Sequence, residues 1–153
     1  MCGCYYLIQQ CIEYQIRYSY LLLNRKEFKK GFNYFDARLK SDEFSKKNKY
    51  HFNIIKKLEK NINLSNSINT LIVKEQGVGD EILFSSMYND ILKNNFSKIQ
   101  IECDKRLLEI FKRSFNKNIF VPFGHYSSSA KNIQEFDNVI YAGSLTKYFR
   151  KTE

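Results

Sequence analysis

The sequence predicts an α/β fold, a short parallel sheet preceded by an amino-terminal helical hairpin. Three observations carry that expectation. Apolar residues recur at helical spacing over about 5–23 and again over 27–40. From residue 69 onward, β-branched runs alternate with amphipathic segments. The first of these runs, Leu71-Ile72-Val73-Lys74, leads straight into Glu75-Gln76-Gly77-Val78-Gly79-Asp80. A strand, a glycine-bearing turn and a helix start in that order build a binding edge at the carboxyl end of a strand.

Each element has its own reason. Leu7, Ile8, Cys11, Ile12, Ile16, Tyr20 and Leu23 form one helical stripe, and Phe28, Phe32, Phe35 and Leu39 form the next. The break at Asn24-Arg25-Lys26 joins the two as an αα-hairpin spanning 1–40. Neither helix can bury its apolar face alone, so the pair is expected to stack on neighbours as helical repeats do. No repeat or cap precedes it, which leads us to expect a chain that is part of something longer. Residues 41–68 are rich in Asn, Ser and Lys and read as a polar connector with one short helix near 50–60.

The α/β part, 69–153, begins with a strand over Thr70–Lys74 and a helix from Asp80 to about Asn94. Lys98–Glu102 is a second strand, and Asp104 is placed to cap a helix holding Leu107, Leu108, Ile110 and Phe111. Ile119–Val121 and Val139–Tyr141 are further strands, with a Ser-rich loop from His125 to Lys131 between them. Successive βα units imply parallel strands with right-handed crossovers. Four strands fall short of the five or six of a doubly wound sheet, so the sheet is expected to be truncated after Phe149-Arg150.

Composition narrows the function classes. The net charge of +9 comes from 25 basic against 16 acidic side chains. The lysines are scattered, their densest cluster Ser45-Lys46-Lys47-Asn48-Lys49 lies in the connector, and no aromatic–basic interleaving makes a stacking platform. A solvated basic surface is favoured over nucleic-acid binding. Cys2, Cys4, Cys11 and Cys103 form neither a disulfide ladder nor a zinc pattern, and His51 and His125 stand far from them. Free thiols in a reducing cytoplasm are expected, with no metal and no cofactor. No basic segment followed by a long apolar run opens the chain, and no stretch approaches the roughly 18 apolar residues of a spanning helix.

Candidate site residues gather after the first strand. Gly77 and Gly79 can adopt backbone angles closed to other residues and allow a ligand close to the main chain. Glu75 and Gln76 are sensible hydrogen-bonding partners for a sugar, although polar residues at a strand end need no function. The residues alone favour Asp80 as a helix N-cap, with a general base as the alternative. A carboxylate there would repel a phosphate, so a neutral hydroxyl suits this loop better. Ser144, after Gly143, reads as a turn or helix-cap residue, with a place on the same edge as the alternative. Arg106 and Arg113, seven apart, read as one solvated helix face. Cys103 beside Asp104 has no neighbouring histidine and reads as a small strand-end residue.

Several segments together resemble a known family. Tyr18-Ser19-Tyr20-Leu21-Leu22-Leu23 followed by Phe28-Lys29-Lys30-Gly31-Phe32-Asn33-Tyr34-Phe35-Asp36-Ala37-Arg38 resembles the last tetratricopeptide unit of certain bacterial proteins. These carry such repeats before a glycosyltransferase-like domain related to the heptosyltransferases. The usual Gly-Trp, Tyr-Glu and Arg stand here as Gly31-Phe32, Phe35-Asp36 and Arg38. Glu75 to Ser86, Ile101 to Leu107, Phe111 to Phe115 and Gly143 to Arg150 are similar to that family's signatures, so the likeness spans nearly the whole chain.

The resemblance implies a GT-B arrangement of two facing Rossmann-like domains, of which this chain would hold the tetratricopeptide end and the incomplete acceptor-side half. It implies inverting transfer from a nucleotide sugar to a hydroxyl acceptor, with Asp80 as base. Glu75, Gln76, Gly77, Gly79 and Ser144 are then the expected substrate contacts, a sugar or glycan the acceptor, and the donor a ligand of the missing half. The chain alone is expected to be inactive. The rival reading is a non-catalytic tetratricopeptide module whose hairpin binds a protein partner.

Overall fold

Residues 2–47, 69–93, 98–115, 118–126 and 135–150 are described by a computed structural model. The chain is mixed α/β and divides into two compact units, Met1–Phe52 with Thr146–Glu153, and Asn53–Leu145.

The first unit is built on a helical hairpin. Helix α1 spans Cys2–Asn24 and α2 spans Phe28–Phe35. Lys26 adopts φ 63°, and the turn closes through Glu27 N to Leu22 O at 2.9 Å and Lys26 N to Leu23 O at 3.0 Å. That pair of bonds is a Schellman stop, here with lysine where glycine usually stands. The helices approach closely at Gly31, where an added Cβ would lie 2.7 Å from Leu23 Cδ2. The buried Ser19 hydroxyl donates to Gly31 O at 2.9 Å across the same contact.

The second helical stripe is not one continuous helix. After Phe35 the chain tightens into a 3-10 turn, Asp36–Lys40. The tightening folds Arg38 back over Phe35, its guanidinium carbon 4.0 Å from the ring centre. Arg38 Nη1 donates to Phe35 O and to Asp36 Oδ1, both at 3.0 Å. Asp36 also meets Lys147 Nζ at 2.5 Å, which fixes the short helix Thr146–Phe149 to this unit. Burial opposes the charge on Lys147, and the Asp36 hydrogen bond and charge outweigh it, so its pKa is raised.

Helix α3, Asp42–Lys47, lies within what reads as polar connector in the sequence. Ser41 Oγ accepts from Phe44 N at 3.2 Å, an N-cap bond, and Phe44 is buried. The short helix expected near 50–60 lies outside the described residues, as does most of the Ser-rich loop.

The second unit carries the sheet. Its strands are β1 (Asn69–Val73), β2 (Lys98–Cys103), β3 (Phe120–Pro122) and β4 (Asn138–Tyr141). All pair in parallel, in the order β3-β2-β1-β4. Leu71, Ile72 and Val73 are fully buried, as a central strand requires. Pro122 sits on the edge strand β3, where its missing N–H costs no ladder bond.

The single helix expected over 80–94 is two helices, α4 (Val78–Ser85) and α5 (Tyr88–Ile91). Ser86 N and Met87 N bond back only three residues, to Leu83 O and Phe84 O. This tighter step keeps Phe84, Met87, Tyr88 and Ile91 buried while Ile82 and Leu83 face solvent. Helix α6, Leu108–Phe115, begins one turn later than a capping Asp104 requires. Asp104 instead accepts from Arg106 N at 3.0 Å and from Arg106 Nε at 2.9 Å, an Asx turn ahead of the helix. Arg106 therefore does not share a helix face with Arg113. Tyr88, Phe111, Phe115 and Phe120 pack ring on ring, with centroids 5.5–6.0 Å apart.

Candidate functional site

The strand order decides where a site belongs. From β1 the chain runs outward through β2 to β3, then returns to the other side of β1 as β4. In open parallel sheets, ligands bind outside the carboxyl ends of the strands at such a reversal. Here the reversal lies between β1 and β4, in register from Thr70 with Asn138 to Val73 with Tyr141. The segments leaving those ends are Lys74–Gly77 and the 3-10 turn Ala142–Leu145. Every candidate site residue lies on one of them or on the first turn of α4.

Glu75 joins the two segments. It is 1% exposed, and its Oε1 accepts a short hydrogen bond from Gly143 N. Its carboxylate is thus a strap between the ends of β1 and β4. Ser144 is buried within the same 3-10 turn. Gln76 is exposed at φ 62°, so the left-handed residue of this turn is Gln76, and neither flanking glycine. Lys74 Nζ steadies the turn by donating to Gln76 O at 3.0 Å.

Gly77 and Gly79 differ from the sequence expectation in a telling way. Gly77 is the N-cap of α4 at φ −90° and ψ 173°, open to any L-residue, and Gly79 lies inside the first helical turn. A Cβ at Gly77 would meet only Asp80 Oδ2, at 3.6 Å, and one at Gly79 would meet nothing within 4 Å. Neither backbone strain nor packing calls for glycine at these two exposed positions. Their smoothness faces open space.

Asp80 is the third residue of α4 and not its N-cap. Its Oδ2 accepts from Gly77 N at 3.1 Å. This is the returning half of a capping box; Gly77 has no side chain to form the other half. The bond fixes the carboxylate beside the glycines. Among the described residues, Asp80 Oδ1 has no hydrogen-bond partner.

One buried acid escaped the sequence reading. Glu81, 1% exposed, accepts from Asp104 N at 2.8 Å through Oε2. Its Oε1 lies 2.6 Å from Lys74 Nζ, an ion-pair contact off the hydrogen-bonding direction. Glu81 therefore ties α4 to the carboxyl ends of β1 and β2. Burial first, then Glu81, raises the pKa of Tyr88 beyond the ordinary phenol range. The only sequence signal for this clamp is a charged residue at each of two junctions, Lys74 and Glu81, which is also the pattern of solvated loops.

Cys103 is fully buried, and burial followed by Glu81 and Asp104 pushes its thiol up to about 12. A thiol held protonated is no nucleophile at neutral pH. Asp104 is held well below the usual carboxylate range by the Arg106 side-chain hydrogen bond and then by the Arg106 backbone bond. Cys11 and Cys103 are free, and no helix among the described residues is long and apolar enough to cross a membrane.

Comparison of the chain with protein-family models, with curated proteins and with solved structures gives no match in any of the three.

Proposed function

We propose that the α/β unit is the acceptor-side, Rossmann-like half of a glycosyltransferase-like protein of GT-B type. In this reading the hairpin is the end of a tetratricopeptide region. The observation that carries the reading is the surface formed by Gly77 and Gly79 at the β1/β4 reversal. Glycine at position 79 costs helix stability, neither position has a conformational need for it, and the open space above admits a ligand to the main chain. Asp80 stands beside that surface with its Oδ2 fixed by Gly77 N.

The chemistry follows from these positions. An acceptor hydroxyl lies over the glycines and gives its proton to Asp80 as its oxygen attacks the anomeric carbon of a nucleotide sugar. The carbon–oxygen bond to the nucleoside diphosphate breaks, and that group leaves with the electron pair. Glu75 and Glu81 act through their neighbours by holding the strand ends together. The donor belongs to a second domain, because closing both substrates in one geometry supplies much of the rate. The isolated 153 residues then bind acceptor without turning over.

Amide shifts in NMR test this. Titration with hexoses, heptoses and their short oligosaccharides should move Gln76 to Asp80, and Gly79→Val should abolish the response. Uridine or adenosine diphosphate at the same loop, or silence to every saccharide, would overturn the assignment. Asp80→Asn keeps an oxygen for Gly77 N, so the fold should survive while the base is lost.

A further inference from the structure

We infer, resting on the acceptor-side reading above, that Gln76 determines specificity: its side-chain amide binds two adjacent hydroxyls of a sugar acceptor. Gln76 takes φ 62°, in the left-handed region that favours glycine. It is exposed, and it stands one residue before Gly77 and three before Gly79, neither of which needs to be glycine. A sequence serving only the backbone would carry its glycine at 76. Here the turn has a side chain where glycine is comfortable and none where any residue would fit. Lys26 shares a positive φ, at 63°, but it closes a helix, where such a residue is routine. Gln76 follows a strand.

The turn is held by groups other than this side chain. Lys74 Nζ donates to Gln76 O at 3.0 Å, and the same ammonium lies 2.6 Å from Oε1 of the buried Glu81. Glu75, just before, accepts from Gly143 N, and Gly77 N, just after, donates to Asp80 Oδ2 at 3.1 Å. A glycine at 76 would be gripped in the same way. The Gln76 amide itself has no hydrogen-bond partner among the described residues. Left-handed residues other than glycine persist only where their surroundings over-determine them, and they gather at ligand sites. The main chain is thus fixed from both sides, and the amide is left for a group from outside.

The chemistry of that group follows from the amide and its neighbours. A primary amide is uncharged and sets N–H donors beside a carbonyl acceptor. Adjacent sugar hydroxyls present the complementary pair, one accepting from Nε2 while the other donates to Oε1. A phosphate carries acceptors alone and would meet the Asp80 carboxylate as a like charge. An ammonium carries donors alone and leaves Nε2 unmatched. A diol uses both halves of the amide, and Asp80, on the first turn of α4, is left for a third hydroxyl, the nucleophile.

Titrations of the 153-residue chain with methyl hexopyranosides and their monodeoxy analogues, followed by the Gly77 and Gly79 amide shifts, test this. Gln76→Gly relieves the backbone, so it should melt at or above the parent's temperature. It should also bind the full hexoside about tenfold more weakly, the usual yield of two neutral hydrogen bonds. At two adjacent ring positions, loss of the hydroxyl should weaken binding to the parent about fivefold and leave binding to Gln76→Gly unchanged. A lower melting temperature for Gln76→Gly, or equal deoxy losses in both proteins, would overturn the role of Gln76. So would parent-like binding by Gln76→Gly while Gly79→Val abolishes the response, a result that leaves the acceptor-side reading standing. A parent silent to every hexoside would remove both.

Discussion

Glu75 accepts a hydrogen bond from the Gly143 amide, 68 residues away in sequence, and so links the ends of the two strands that flank the sheet reversal. Both residues are buried, so the amide would find no water if the carboxylate were removed. Glu75→Ala should cost about 2–4 kcal/mol, from an unsatisfied buried donor plus the void left by the side chain. Glu75→Gln keeps an acceptor oxygen and removes a buried charge, so it should stay within about 1 kcal/mol of the parent. Urea midpoints at neutral pH check both. Equal losses would mean that the charge, and not the hydrogen bond, holds the strap.

Gly79→Ala should raise stability and lower sugar binding. A Cβ at this position meets nothing, and Ala in a first helical turn is worth about 0.4–1 kcal/mol over Gly. If the exposed backbone there receives an acceptor, the same methyl group fills the contact surface. Thermal melts and saccharide titrations on one variant separate the two effects. A gain in stability with undiminished binding would remove Gly79 from the site.

The strands were legible in the sequence because parallel, buried strands declare themselves as short β-branched runs such as Leu71-Ile72-Val73. Their order was not legible. The return of β4 to the free side of β1 depends on pairings between residues such as Val73 and Tyr141, which no local pattern encodes. The glycine loop was found, though for a reason the backbone does not support: Gln76, and not glycine, takes the positive φ. Asp80 and Asp104 were both expected as N-caps, and each instead bonds to a nearby backbone amide, three residues back or two ahead. Short acidic side chains satisfy several local geometries, so residue type alone does not set the register of a helix start.

The hairpin makes its own demand on Gly31. An added Cβ falls 2.7 Å from Leu23 Cδ2 and 3.2 Å from Leu23 N, so rotating the leucine relieves only part of the clash. Gly31→Ala should destabilise the first unit by about 1–3 kcal/mol, the usual cost of overpacking. Lys26→Gly should act in the opposite sense by about 1 kcal/mol, because φ 63° suits glycine and strains lysine. Helical content followed through denaturation reports both. A neutral Gly31→Ala would show that α1 and α2 separate without loss.

Cys103 sets an alkaline limit on the second unit. Its thiol is raised from 9.0 to about 12 in the folded chain, so the folded state favours the protonated form more than the unfolded state does. That preference contributes fully below about pH 9 and is lost as pH climbs toward 12, where the unfolded chain gains by ionising first. Stability should therefore fall across this window, and Cys103→Ala should fall less steeply once its lower starting value is subtracted. The raised pKa of Tyr88 acts in the same direction and remains in both proteins. At pH 8 a thiol reagent should modify exposed Cys11 quickly and reach Cys103 only after unfolding. Parallel pH profiles for parent and Cys103→Ala, or prompt labelling of Cys103 in the native chain, would show that the thiol lies in a wetter place than its packing against Val121 indicates.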